Sequence, residues 1–274
     1  MSSPETESSL HWSALGVHVI DLAHEMFVGM PASPNHPSFQ MALSRRHGDL
    51  VREDGGSAAN EILVTGGHVG THLDALGHIS QDGEVFGGEK ARKIQSNVGL
   101  SRLGIDEFEP MVGRGVLLDV ARLHGGDVLE PGYEVTAEDL SRAEANAGVE
   151  VGLGDAVLIR TGWSTLWPGS SFLNRELGSP GPGVEAASWL AERRIRVAGG
   201  ETIAFEVIHP GAGHATLPVH RVLLVESGIN IIEVMNLQPL AAAERFEFGF
   251  VVAPLKIRGA TGSPVRPLAL LKHD

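Results

Sequence analysis

The chain has 274 residues, enough for one large domain with a substantial core. Hydrophobic residues make up 42% and charged residues 20%, as in ordinary globular proteins, and the net charge of −13 argues against nucleic-acid or anionic-membrane partners. There is no cysteine, which excludes disulfides, thiolate metal sites and cysteine nucleophiles.

Residues 1–10 are polar and rich in Ser and Glu, and read as a flexible tail ahead of a domain over 11–274. The N-terminal segment has no basic region followed by an apolar core, and no run of 18 apolar residues occurs. A cytoplasmic location is the default expectation. "GVHVIDLAHEM" reads as a strand around Val17, Val19 and Ile20. Gly29 to Phe39 holds three prolines among small residues and reads as a loop. "NEILVTGG" reads as a strand from Asn60 that stops at a Gly-Gly break.

Immediately after that break comes "GGHVGTHLDALGHIS", with three histidines and an aspartate between His68 and His78. His68, His72 and Asp74 share parity, so an extended segment would aim all three to one side. Gly70 and Thr71 argue against a regular helix. Two imidazoles and a carboxylate make a sound ligand set for a divalent ion, and without thiolates zinc or manganese suits that set. His78 falls on the same parity. It reads either as a further ligand or as a proton-transfer group.

Further along, Arg114 to Val120 reads as a buried strand. "TAEDLSRAEANAG" reads as a helix, capped by Thr136 with Asp139 at the capping-box distance and ended by Gly148. Gly154 to Trp163 reads as a strand entering a loop, and "SSFLNRELGSPGPG" as a long surface loop. Val184 to Arg194 reads as a helix, and "IRVAGG" as a strand. "LPVHRVLLVESG" reads as a short helix with Pro218 near its start and Gly228 past its end. "INIIEVM" and Phe246 to Ile257 read as strands. Glu233 follows an apolar run, so its carboxylate is expected to be buried and to need a partner. Glu226, on the helix, is expected to be solvated. No G-x-S-x-G elbow, dinucleotide fingerprint or phosphate-binding loop occurs.

"HVGTHLDALGH" resembles the H-x-G-T-H-x-D-x-P-x-H signature of the cyclase-like metal-dependent hydrolases, a superfamily that includes bacterial kynurenine formamidase and isatin hydrolase. The resemblance extends over roughly residues 17–270, including "GDAVLIRTGW" and "LPVHRVLLVESGINIIEVMNL". It implies an α/β fold: a swivelling β/β/α-type single domain, a mixed sheet with flanking helices. It implies one or two divalent ions, Zn2+ or Mn2+, with His68, His72 and Asp74 on the first and His220 and Glu233 on a second. His220 takes that place ahead of His214 because it directly precedes the apolar helix. The spacing from His220 to Glu233 is one residue longer than in the formamidases. His78 would be the general acid/base.

Two departures stand out. Leu76 replaces the motif's proline, and the loop around His36 lacks the Trp-Pro-Gly-Asp type sequence of kynurenine formamidases. Candidate substrate-binding residues are His36, Phe86, Trp163 and His214, each with a packing or loop role as its alternative. The implied reaction is cleavage of a C–N bond in a small linear or cyclic amide by metal-activated water. Hydrolysis or cyclisation of a small ester or lactone is the neighbouring alternative, and a non-catalytic metal-binding scaffold the other. The resemblance also implies a homodimer or homotetramer, and the partner expected otherwise is a small-molecule substrate.

Overall fold

The computed structural model describes residues 16–174 and 176–272, so the tail expected over 1–10 lies outside the described residues. Nine strands form one sheet: β1 (Val17–Asp21), β2 (His72–Asp74), β3 (Met111–Asp119), β4 (Ala156–Arg160), β5 (Val197–Gly200), β6 (Asn230–Glu233), β7 (Glu247–Val252), β8 (Gly262–Pro264) and β9 (Leu268–Lys272). Their spatial order is β1-β9-β7-β3-β4-β5-β6-β2-β8. The four central strands, β3 to β6, run parallel, and the flanking pairs are antiparallel.

Alternation along the central strands divides the core into two layers. On β3 and β4, Val116, Leu118, Val157 and Ile159 pack under the helices α1 (Ala137–Ala147), α2 (Val184–Glu192) and α3 (Pro218–His220). Their neighbours Leu117, Ala156 and Leu158 face a second cluster. That cluster joins Ile20 of β1 to Leu73 of β2, which lie near opposite ends of the strand order, so the sheet curls around its own core. The result is a single mixed α/β domain with few helices, the class the sequence predicts.

Thr136 caps α1 with the full capping box to Asp139, and Gly148 closes it in the left-handed region. Two expectations are refined and one is corrected. The strand after Asn60 is part of an outlying hairpin, Gln40–Arg45 with Asn60–Val64, whose side chains are exposed. The Gly/Pro-rich stretch after Ser170 is not a surface loop throughout: Phe172 and Ser179–Gly183 are buried. Apolar Phe172 fills a core gap, while Gly181 and Pro182 pair with Glu134 and Val135. The third concerns α3, which continues as a π-helix over Arg221–Ser227.

Candidate metal centre

β2 and β6 pair antiparallel with Glu233 opposite His72. Strand parity then puts His72, Asp74 and Glu233 on one face, while Leu73 and Ile232 turn into the core behind. This place, at the carboxyl end of the parallel strands, is where open α/β sheets usually bind ligands.

His68 arrives differently from the expectation. Only His72–Asp74 is extended; the chain from Gly67 to Thr71 bends, and Gly70 takes φ +68 to make the turn. The bend, rather than strand parity, brings the His68 ring within 5.3 Å of that of His72. The third imidazole, His220, comes from the end of α3.

A common pattern joins these three histidines. His72 donates from Nδ1 to the Gly70 carbonyl (2.8 Å), leaving Nε2 3.6 Å from Asp74 Oδ1 and 3.3 Å from Glu233 Oε2. His220 hydrogen-bonds Glu206 Oε1 through Nδ1 (2.6 Å), leaving Nε2 3.6 Å from Asp74 Oδ2 and 3.2 Å from Glu233 Oε1. His68 places Nδ1 2.7 Å from Asp74 Oδ1 while its Nε2 hydrogen-bonds Thr261 (2.9 Å). In each ring one nitrogen is fixed by an outer partner and the other faces carboxylate, Asp74 alone for His68 and both Asp74 and Glu233 for His72 and His220. Metal-ligating histidines are held in this way.

The carboxylates are incomplete without a further partner. Asp74, Glu233, His72 and His220 are all at most 5% exposed, yet Asp74 Oδ2 and Glu233 Oε1 accept no hydrogen bond. Buried carboxylate oxygens left in this way are costly. The donor set fits a divalent cation: His68, Asp74 and His78 offer atoms within 4.8 Å of one another, as do His72, Asp74 and Glu233, with Asp74 common to both. Electrostatics point the same way. Burial opposes charge on Asp74 and Glu233, but the surrounding histidines hold Asp74 well below the usual carboxylate range, and His220 and His72 lower Glu233. Burial likewise opposes a proton on His220, but Asp74, Glu206 and Glu233 raise it well above the usual imidazole value.

His78 stacks on the His68 ring at 3.9 Å and lies 6.4 Å from that of His220. No described side chain hydrogen-bonds its imidazole. Burial lowers its pKa to about 4, leaving it neutral at neutral pH. His36 of the proline-rich loop closes the cluster, its ring 5.0 Å from His68 and 6.4 Å from His78.

The other candidates sit elsewhere. Phe86 packs against Gly228, where the π-helix ends. Trp163 is 2% exposed and donates its indole N–H to the Phe172 carbonyl, a core position. His214 lines a cavity beside the loop that carries His36. Glu226 is exposed and pairs with Arg221, as expected. Three partners escaped the sequence reading. Glu206 and Thr261 lie far along the chain from the histidines they hold, and the third is a backbone carbonyl, that of Gly70. Glu206 also accepts from the amides of Val219 and His220, and so anchors the start of α3.

Comparison with known proteins gives the same family from sequence and from fold. The isatin hydrolase of Roseibium aggregatum is 29% identical over 222 residues, covering 80% of this chain and 77% of that protein. A crystal structure of a "novel cyclase" superposes with a TM-score of 0.82 at 28% identity, covering 98% of this chain and 93% of that one. Isatin hydrolase A from Labrenzia aggregata, bound to benzyl benzoate, superposes at 0.75 with 26% identity over 98% of this chain and 100% of its own. The family described as "Putative cyclase" matches residues 20–207, well over half of the sequence, and the chain belongs to it.

Proposed function

We propose that His68, His72, Asp74, His220 and Glu233 hold one or two divalent ions, Zn2+ or Mn2+, at the heart of an enzyme that hydrolyses a small linear or cyclic amide. The protein is a metal-dependent, amide-cleaving hydrolase. The observation that carries the site assignment is the orientation of the three histidines. Each has one nitrogen tied to an outer partner and the other turned toward Asp74, for His72 and His220 toward Glu233 as well, and both carboxylates retain an unpaired oxygen.

A bound divalent ion would supply Lewis-acid polarisation of the carbonyl and acidify water. The remaining work falls to the chain. Asp74, shared between the two ligand groups, orients both. His78, neutral and without a side-chain hydrogen bond, would accept at a ring nitrogen the proton lost by the attacking water and return it to the departing nitrogen. His36 covers the open side and limits water. An ester or lactone carbonyl is attacked by the same chemistry, and lactone hydrolysis is the neighbouring activity to screen.

Assembly as a homodimer or homotetramer is also proposed. The outlying hairpin exposes Met41 and Leu63 on one face and Ile62 and Val64 on the other, each 51–58% exposed. A lone two-stranded hairpin is marginal in water, and a second copy would cover it. No helix among the described residues is long and apolar enough to cross a membrane.

The test is metal content of the purified protein, then a turnover screen across small amides and lactones before and after chelation. Loss of amide hydrolysis on chelation and its return on adding Zn2+ or Mn2+ is the expected result. Full metal occupancy with no turnover of any amide or lactone would favour a non-catalytic scaffold.

A further inference from the structure

Val234, the residue after Glu233, has φ +55. Among the described residues six non-glycine positions take a positive φ, and Val234 is the only β-branched one. A β-branched residue is strained there, and such a backbone persists only where its surroundings hold it. Three hydrogen bonds hold this one. The amides of Val234 and Met235 donate to the carbonyls of Thr202 and Gly200 (3.2 and 2.9 Å). Successive amides of a regular strand point to opposite edges. Here both turn to the β5 side, the mark of a bulge, and β6 ends at Glu233. The third bond comes from Thr71, whose hydroxyl donates to the Val234 carbonyl (2.5 Å).

Thr71 is itself fixed. It is 2% exposed, and its hydroxyl accepts from the His24 amide (3.0 Å), so its one proton is committed to Val234. Its carbonyl accepts from the amide of Val265, just past β8. Thr71 thus joins the chain leaving β1, β6 and β8 at one point. Its place relative to the ligands is the second observation. Thr71 immediately precedes His72 and Val234 immediately follows Glu233, and those two face each other across β2 and β6. The ladder between the strands stops at that pair. The hydroxyl bond holds the chain one step further on, where no ladder bond does.

We propose that Thr71 is a positioning residue for the metal centre: its hydroxyl latches Val234 in the left-handed kink, and the kink fixes the direction in which Glu233 presents its carboxylate beside His72. The proposal rests on the reading of His72 and Glu233 as ligands given above. Without the latch, the strain at Val234 favours relaxation of the kink toward extended backbone, and the end of β6 turns with it. The Val234 carbonyl and the His24 amide would also lose a buried partner, a cost to stability separate from the cost to the ligand geometry.

Titration of the chelator-stripped full chain with Co2+, followed by visible absorption, tests it, because the d–d bands report affinity and ligand geometry together. Thr71→Val keeps the shape of the side chain without the hydroxyl. It is expected to weaken Co2+ binding by about 10- to 100-fold, the usual effect of removing an outer support of a ligand, and to alter the bands. Thr71→Ser keeps the hydroxyl and is expected to match the parent. The decisive variant adds Val234→Gly to Thr71→Val. Glycine takes a positive φ without strain, so the kink no longer needs a latch. Most of the Co2+ affinity is expected to return, although the glycine leaves a cavity beside Trp163 and Phe172 and lowers the melting temperature. A hydroxyl that merely stabilises the fold would show no such rescue. Unchanged affinity and bands in Thr71→Val, weakened binding in Thr71→Ser, or no rescue by Val234→Gly would each overturn the proposal. If Thr71→Val alone fails to fold, Thr71→Ser and the double variant still decide it. A parent that takes up no Co2+ would overturn the metal reading and this proposal with it, whereas a parent that binds beside variants that disobey would overturn the latch alone.

Discussion

His78 and His68 stack face to face, yet they are set for different tasks. His68 has both ring nitrogens engaged, by Asp74 and Thr261, whereas His78 has no side-chain hydrogen bond. The account gives His78 the proton, and His78→Ala is expected to lower kcat about 10²- to 10⁴-fold with metal content retained, as read by elemental analysis beside steady-state kinetics. Near-normal turnover with metal in place would remove it from the mechanism, and metal loss would make it a ligand instead. Glu206 belongs to the same scale. It fixes His220 Nδ1 and two amides of α3, so Glu206→Gln is expected to weaken metal binding by about 10- to 100-fold, measured by titration calorimetry on the chelator-stripped protein. Unchanged affinity would reduce Glu206 to a helix anchor. The histidines and Asp74 were legible because their spacing is local and chemically unusual. Their partners Glu206 and Thr261 were not, since nothing near either in sequence marks it and only the fold delivers it to its histidine.

At the scale of elements, the short strands decide where the ligands meet. The register of β2 on β6 sets Glu233 opposite His72, and β8 lies on the other side of β2, where Gly262 faces His68. A Cβ at Gly262 would come within 2.5 Å of the His68 ring. Gly262→Ala is therefore expected to push that ring off Asp74 and weaken metal binding, with a smaller change in melting temperature than a core cavity would cause. Metal affinity equal to the parent would show that the ring has slack. The π-helix over Arg221–Ser227 lies between His220 and Glu233, the segment that the resemblance implies is one residue longer than in the formamidases. Its wider turn, with bonds from i to i+5, takes up an extra residue without displacing either end, and such turns often occur at functional sites. The helices and central strands were legible from caps and apolar runs. Thr136→Ala is expected to cost about 1 kcal/mol through the lost cap of α1, measurable by denaturant titration with metal affinity unchanged. That the strand after Asn60 stands on an exposed hairpin was not legible, because β-rich alternation looks the same on an exposed arm as on a core strand, and the bend through Gly70 was misread as extended chain. A glycine turn also delivers a side chain where parity would otherwise seem to.

For the whole molecule, the curl of the sheet closes one core around β1, β2 and β9 and leaves the ligand face under α3, while the hairpin stands outside both core layers. The proposed assembly through the hairpin, apolar on both faces, is tested by light scattering, which is expected to give at least a dimer at micromolar concentration. Ile62→Lys with Leu63→Lys should shift it toward monomer; a monomeric parent would refute the assembly. The fold class was legible from the alternation of strand and helix patterns in the middle of the chain. The strand order was not, because pairing β2 with β6 joins residues more than 150 positions apart.

The most direct test of the account is metal-dependent turnover in a matched pair of proteins, the parent and His72→Ala. His72 turns its free Nε2 to both carboxylates, and its other ring nitrogen only holds it in place on the Gly70 carbonyl. The parent is expected to carry Zn2+ or Mn2+ and to hydrolyse small amides, losing activity on chelation and regaining it on metal addition. His72→Ala is expected to lose bound metal and turnover together while remaining folded by circular dichroism. Amide hydrolysis that survives both chelation and the His72→Ala substitution would contradict it.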